Sequence, residues 1–175
     1  MIKNGFSMIE LLIVIAILII LTSLAIPAYQ DMIASARVKV TAEIFNQGLQ
    51  LARAEAIKHN DRVFFSFSTT GWTIGCVTTR ADCPATIQTK PATEGSKNVN
   101  ILATPATATK VTFTSLGRLF VDSAGVLNNP DGTAEFQQLD FSNTVTTRQY
   151  RALIRPAGQV KLCSPNAPSG SVSAC

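Results

Sequence analysis

Gly5-Phe6-Ser7-Met8-Ile9-Glu10-Leu11-Leu12 leads into an unbroken apolar run from Leu11 to Leu21, then Thr22, Ser23 and Leu24 to Ile26. Phe6 to Ile26 is 21 residues, about 31 Å as a helix and enough to cross the hydrocarbon core of a bilayer. One reading is a secretory signal peptide, with Lys3 as its charged region and Ser23-Leu24-Ala25 as a small-residue cleavage site. Glu10 argues against it. A carboxylate inside a membrane helix costs about 2.5–3.5 kcal/mol on insertion scales and ordinarily has a partner. A segment that is discarded after export has no need of that charge.

Outward from this stretch the chain is ordinary. Its 175 residues are 46% hydrophobic and 15% charged, and the apolar excess is concentrated in the one run. That length suits one domain with an appendage and excludes a large multidomain enzyme. The single run excludes a polytopic membrane protein, and the composition of the remainder excludes a disordered tail protein. Ala28 to Phe141 holds ten basic and ten acidic residues, a net of zero, whereas Ser142 to Cys175 holds Arg148, Arg151, Arg155 and Lys161 and no acid. The formal net charge of +4 therefore resides in the last 34 residues, a patch able to attract polyanions or simply to face solvent.

Cys76, Cys83, Cys163 and Cys175 match no zinc spacing, and the lone His59 cannot complete a metal cluster. No metal and no cofactor is implied. Of the three possible disulfide connectivities, local pairing of Cys76 with Cys83 and Cys163 with Cys175 is the simplest, and each small loop would stabilise the fold by about 2–3 kcal/mol. Four free thiols in a reducing compartment is the other reading.

The stretch from Gly5 to Leu12 resembles the prepilin processing motif of type IV pilins and type II secretion pseudopilins. The resemblance implies cleavage of a leader, residues 1–5, between Gly5 and Phe6 by a prepilin peptidase, followed by N-methylation of Phe6. Glu10 then becomes the fifth mature residue and Pro27 the twenty-second, both positions that the family uses. It further implies that Glu10 pairs with the cationic amino terminus of a neighbouring subunit. That pairing relieves the burial cost only when subunits are in axial register.

Beyond Pro27 the helical pattern continues to about Asn60. Val38, Ala42, Phe45, Leu49, Ala52 and Ala56 are spaced 4, 3, 4, 3 and 4, which marks one buried face of an amphipathic helix. Pro27 is expected to bend this helix without ending it, and Asn60 suits a left-handed cap. Phe6 to Asn60 would span roughly 80 Å. Leu49 to Asn60 is similar to the L-x-x-A-R-S-E-A-I-x-R-N stretch of the GspH/FimT group of minor pilins and pseudopilins, with Ala54 and His59 as departures.

Downstream, β-rich runs are expected at 62–69, 72–78, 99–103, 111–115, 118–122, 134–141, 148–155 and 159–163, separated by turn signals. Most of 84–110, rich in Ala, Thr and Pro, reads as an exposed loop. Phe64, Phe67, Trp72, Phe113, Phe120, Phe136 and Phe141 are expected in the core. Trp72 to Gly75 and Phe113 to Arg118 resemble the W-x-x-G and F-x-x-x-G-R stretches of the same group. The fold class is α+β: a long N-terminal helix, transmembrane in its first half and amphipathic in its second, packed on an antiparallel β domain of two sheets. The segments are leader 1–5, assembly helix 6–27, amphipathic helix 28–60 and a β-rich head, 61–175.

The last β-rich pair raises a second function. Strand alternation puts Arg151 and Arg155 on one side, and Lys161 can join them after the Pro156-Ala157-Gly158 turn. DNA-uptake members of the group carry a G-R-x-R motif here; the matching residues are Gly158-Gln159-Val160-Lys161. A neutral residue and a lysine replace the two arginines, which loses the planar fork that grips phosphate. Any DNA contact by Arg148, Arg151, Arg155 and Lys161 would be to phosphate, without sequence preference. No catalytic motif is present: there is no glycine-rich phosphate loop and no nucleophile elbow. The resemblance implies a structural subunit, anchored in the bacterial inner membrane with its head in the periplasm, that primes or caps a type IV pilus or a type II secretion pseudopilus. Its partners would be other pilins or pseudopilins and, as a substrate, the prepilin peptidase. The alternative is a DNA-capturing minor pilin.

Overall fold

Ser7 has extended backbone angles (φ −74, ψ 144) and precedes helix α1, Met8–His59. The computed structural model describes residues 7–94 and 98–175, so Gly5 and Phe6 lie outside the described residues. α1 is 52 residues long, about 78 Å, and passes through Pro27 without interruption. Proline cannot donate to the carbonyl of Ser23. Just before it, the hydroxyls of Thr22 and Ser23 donate back to the carbonyls of Leu18 and Ile20, each at 2.8 Å. The helix ends where Asn60 turns left-handed (φ 49, ψ 38) and Asp61 donates to the Ala56 carbonyl at 3.2 Å, satisfying carbonyls that the last turn leaves open.

Eight strands follow: β1 Val63–Ser68, β2 Gly71–Cys76, β3 Gln88–Pro91, β4 Asn100–Thr104, β5 Lys110–Phe113, β6 Gln138–Ser142, β7 Tyr150–Ile154 and β8 Val160–Cys163. They form two four-stranded antiparallel sheets, ordered β3-β2-β1-β5 and β4-β6-β7-β8. Two expectations need correction. Residues 118–122 form no strand; they double back along the free edge of β5, with Phe120 donating to the Thr112 carbonyl at 2.9 Å. β3, by contrast, arises inside the stretch read as loop, where Gln88–Pro91 pairs with Ile74–Gly71. Its Pro91 is tolerable because β3 is an edge strand.

The amphipathic stripe supplies the core. Val38, Ala42, Phe45, Leu49, Ala52 and Ala56 are all buried, and α1 packs against strands of both sheets. Phe45 holds the two sheets to one helix: its ring lies 5.8 and 5.9 Å from Phe65 and Phe67 of β1 and 5.3 Å from Phe141 of β6. Trp72, Phe113, Phe136 and Phe141 are buried and Phe67 packs against them. Phe64 and Phe120 are not core residues. Both are half-buried; Lys110 lies over the Phe64 ring and Arg62 over the Phe120 ring. Strand alternation explains the first, because Val63, Phe65 and Phe67 take the inner face of β1 and Phe64 is left on the outer one.

The free edge of β5 is closed by a polar staple. Asn129 is buried; its Oδ1 accepts from Thr112 Oγ1 at 2.7 Å and its amide donates to the Lys110 carbonyl at 3.2 Å. Asp131 pairs with the Lys110 ammonium. Glu135 accepts from the Thr112 amide at 2.9 Å through Oε1, while its Oε2 is buried and, among the described residues, without a hydrogen-bond partner. Burial pushes the Glu135 carboxyl up to about 7, against the one backbone hydrogen bond that lowers it. The folded state therefore keeps the proton where the unfolded chain has lost it, so the Glu135 contribution to stability is full below the ordinary glutamate range and is lost as pH rises through 7. The melting temperature of the head should drop between pH 5 and pH 8, and Glu135→Gln should flatten that drop. An unchanged pH profile in the variant would show that Glu135 is not its source.

Candidate functional site

Among the described residues, none packs around the first half of α1 to bury it. Thirteen large apolar side chains from Met8 to Ile26 are between 45% and 90% exposed, although each is worth about 1.5–3 kcal/mol when fully buried. By length and composition the helix is long and apolar enough to cross a membrane. Glu10 is exposed in the first turn, where the helix dipole favours a carboxylate. Ser7 stands three residues before Glu10, the spacing of a capping box, yet its side chain makes no capping bond. Pro27 lies at the border between this bare half and the half that carries the head, whose first buried side chain is Ala34.

The cysteines are joined locally. Cys76 is bonded to Cys83 and Cys163 to Cys175, with Cα atoms 5.7 and 5.1 Å apart. The first bridge braces the chain between β2 and β3, and the second ties the carboxy-terminal residues back to β8.

The basic hairpin is less basic than its composition. Register pairs Leu153 with Lys161 and Asp140 with Arg151, so Arg151, Arg155 and Lys161 share the outward face while Ala152 and Ile154 enter the core. Asp140 lies on that same face. Its Oδ1 accepts from Arg151 Nε at 2.6 Å, which neutralises the central cation. Lys161 donates to the carbonyl of Ala174 at 3.1 Å. Arg155 is exposed just beyond the end of β7, and Arg148 is exposed in the loop before it. Composition misses Asp140 because the acid-free window begins two residues after it; only the β6–β7 register brings it to Arg151.

Three motif residues from distant parts of the chain meet beside this hairpin. Arg53 of α1 donates from Nε to the carbonyl of Gly117 at 2.9 Å. Gly117 (φ +69) and Gly158 (φ +78) both adopt left-handed backbone, and a Cβ on Gly158 would lie 1.8 Å from the Gly117 oxygen. Leu119 also donates to the Pro156 carbonyl at 3.0 Å. The helix, the turn after β5 and the β7–β8 turn are thereby locked together. His59 and Lys58 both contact Glu55, at 3.0 and 2.9 Å, so the end of α1 is a local ion cluster. Among the described residues no group of three or more His, Cys, Asp or Glu side chains is placed to hold a metal.

A helix bare over its first half and clasped by a two-sheet head over its second is the architecture of a pilin. A family model described as "Type II transport protein GspH" matches residues 41–167, and one described as "Prokaryotic N-terminal methylation motif" matches residues 1–26. The chain belongs to the GspH/FimT family of minor pilins and pseudopilins. Two solved structures share the fold, each with a TM-score of 0.51. The type IV minor pilin FimU of Pseudomonas aeruginosa is 20% identical, over 74% of this chain and 93% of that one. The minor pseudopilin EpsH of the Vibrio cholerae type 2 secretion system is 17% identical, over 75% and 99%. A "Fimbrial protein" of Moraxella nonliquefaciens is 61% identical over 36 residues, which are 21% of this chain and 23% of that protein's length.

The Arg53 junction generates a direct test. Gly158→Ala meets both a left-handed backbone, about 1–2 kcal/mol, and an overlap with the Gly117 carbonyl. Gly125→Ala meets only the first, since φ is +80 there and nothing lies within 4 Å. Chemical denaturation should show Gly158→Ala losing at least about 2 kcal/mol more than Gly125→Ala. Equal losses would mean that the two turns are not locked in solution.

Proposed function

We propose that this chain is a filament subunit that primes or caps a type IV pilus or a type II secretion pseudopilus. The observation that carries the reading is the bare apolar half of α1 beneath a methylation motif. In this reading the leader is cut between Gly5 and Phe6 and the new amino terminus is methylated. The subunit waits in the inner membrane with its head in the periplasm. The apolar half of α1 serves first as a membrane anchor and then as filament core, so it exchanges lipid for the helices of neighbouring pilins.

Glu10 sets the register of that exchange. As an unpaired carboxylate in an apolar environment it is costly, and the mature amino terminus of a neighbour is the natural counter-charge. Alignment by one buried pair is a specificity device, because a misplaced neighbour leaves the charge uncompensated. Pro27, which leaves the Ser23 carbonyl without its usual donor, marks the junction between the assembly segment and the head. The family and fold are those of structural subunits, and the family's filament partners and prepilin peptidase are the partners proposed here. DNA capture gains no support from the hairpin, where Asp140 neutralises Arg151 and the motif arginines are replaced by Gln159 and Lys161.

Glu10→Val tests the register role in cells that assemble the filament. The variant should fractionate with the inner membrane as the parent does, while its amount in sheared filaments or in the assembled initiation complex should fall at least about tenfold, the effect of about 1.4 kcal/mol. Normal incorporation of the variant would remove Glu10 from the assembly mechanism.

A further inference from the structure

Beside the middle of α1, below the head, lies a groove of about 910 Å³. One helix face forms its floor: Ile26, Tyr29, Ile33 and Arg37 line it at spacings of 3, 4 and 4 residues. Its roof is the loop after β6, with Asn143 and Val145, and Asn98 and Asn100 at the start of β4. The roof is tied together, because the Asn143 amide donates to the carbonyl of Asn98. Ile26, Tyr29 and Val145 are each more than half exposed, so the floor is apolar and open to its surroundings, while Asn98, Asn100 and Thr144 make the roof largely polar. At its upper end Arg37 is exposed and, among the described residues, has no acidic partner. The Glu43 carboxylate farther along the helix faces Lys39, at 3.8 Å.

The groove starts where the apolar run stops. With about 20 helical residues needed to cross the hydrocarbon core, Ile26 stands at its edge and Tyr29 in the headgroup layer, a depth that suits an amphipathic ring. Arg37 is eleven residues beyond Ile26, about 16 Å along the axis. A helical side chain ordinarily leans toward the helix amino terminus, and an arginine that snorkels in this way would place its charge about 10 Å above the hydrocarbon edge.

We propose that this groove binds one anionic phospholipid of the leaflet from which the head emerges. The upper acyl and glycerol portion lies along Ile26, Tyr29, Ile33 and Val145, and the headgroup lies against Arg37 and the Asn143 amide. This site rests on the anchor reading above. Its apolar floor continues the exposed face of the membrane segment, and the Arg37 charge is opposite in sign to such a headgroup. Lipid held there seats the head on the membrane before assembly and must leave when a neighbouring subunit arrives.

The test uses the full-length chain. Vesicles of dioleoyl-phosphatidylcholine with increasing dioleoyl-phosphatidylglycerol report entry into the membrane, and native mass spectrometry from mild detergent counts the lipids retained. The parent should retain phosphatidylglycerol about fivefold better than phosphatidylcholine, the contribution of one cation at an anionic surface. Arg37→Gln should abolish the preference, and Val145→Asp should reduce retention of both lipids, each with an unchanged melting temperature. A photoreactive benzoylphenylalanine at position 33 should label lipid. Equal retention of the two lipids, or an intact preference in Arg37→Gln, overturns the site while leaving the anchor standing. Labelling of a second copy of the chain in place of lipid assigns the groove to a neighbouring subunit and overturns it as well. A chain that does not enter the vesicles overturns the anchor and the site together.

Discussion

One continuous helix carries two different surfaces. From Leu11 to Ile26 α1 is apolar on nearly every side and is not buried by the head; from Ala34 to Ala56 it buries a single stripe, leaves Arg37 and Lys39 exposed and turns Arg53 toward the head. No isolated globular domain stabilises the first half. The head depends on the second, because Phe45 and its neighbours on the stripe are the surface on which both sheets close. The two requirements share one rigid element, so whatever fixes the apolar half in membrane or filament also fixes the orientation of the head.

The head responds with attachments that resist rotation about that helix. Arg53 reaches the Gly117 turn, the Gly117 turn touches Gly158, and the two disulfides hold the segments flanking β2 and β8. These attachments lie on the far half of the helix from Glu10. In the proposed filament these contacts would tie the surface of the head to the axial position of the helix. The buried Glu135 is the weak point of that construction at alkaline pH, since its unpartnered oxygen gains charge where no donor meets it.

What is legible in the sequence follows from which interactions are local. The stripe from Val38 to Ala56 is readable because helical burial repeats every 3.6 residues, and the Asn60 cap because left-handed ends favour few residue types. The inner face of β7 is readable from simple alternation. β3 is not, since Gln88-Thr89-Lys90-Pro91 is polar, ends in proline and becomes a strand only by pairing with the exposed edge of β2. Residues 118–122 have strand composition but divide their hydrogen bonds between the β5 edge, through Phe120, and the β7–β8 turn, through Leu119. The two acids that matter most, Glu135 under the staple and Asp140 opposite Arg151, gain their roles from tertiary register, which no single-chain periodicity encodes. The groove between α1 and the loops after β6 and before β4 is likewise a product of three separated segments.

The amino terminus of the protein recovered from membranes or filaments tests most directly whether the apolar half of α1 is a retained assembly segment. Mass spectrometry of the intact chain should find a species beginning at N-methylated Phe6, with Glu10 and the whole run to Ile26 still attached. A mature chain beginning at Ile26, cut after Ser23-Leu24-Ala25, would make that run a discarded export signal and contradict the account at its base.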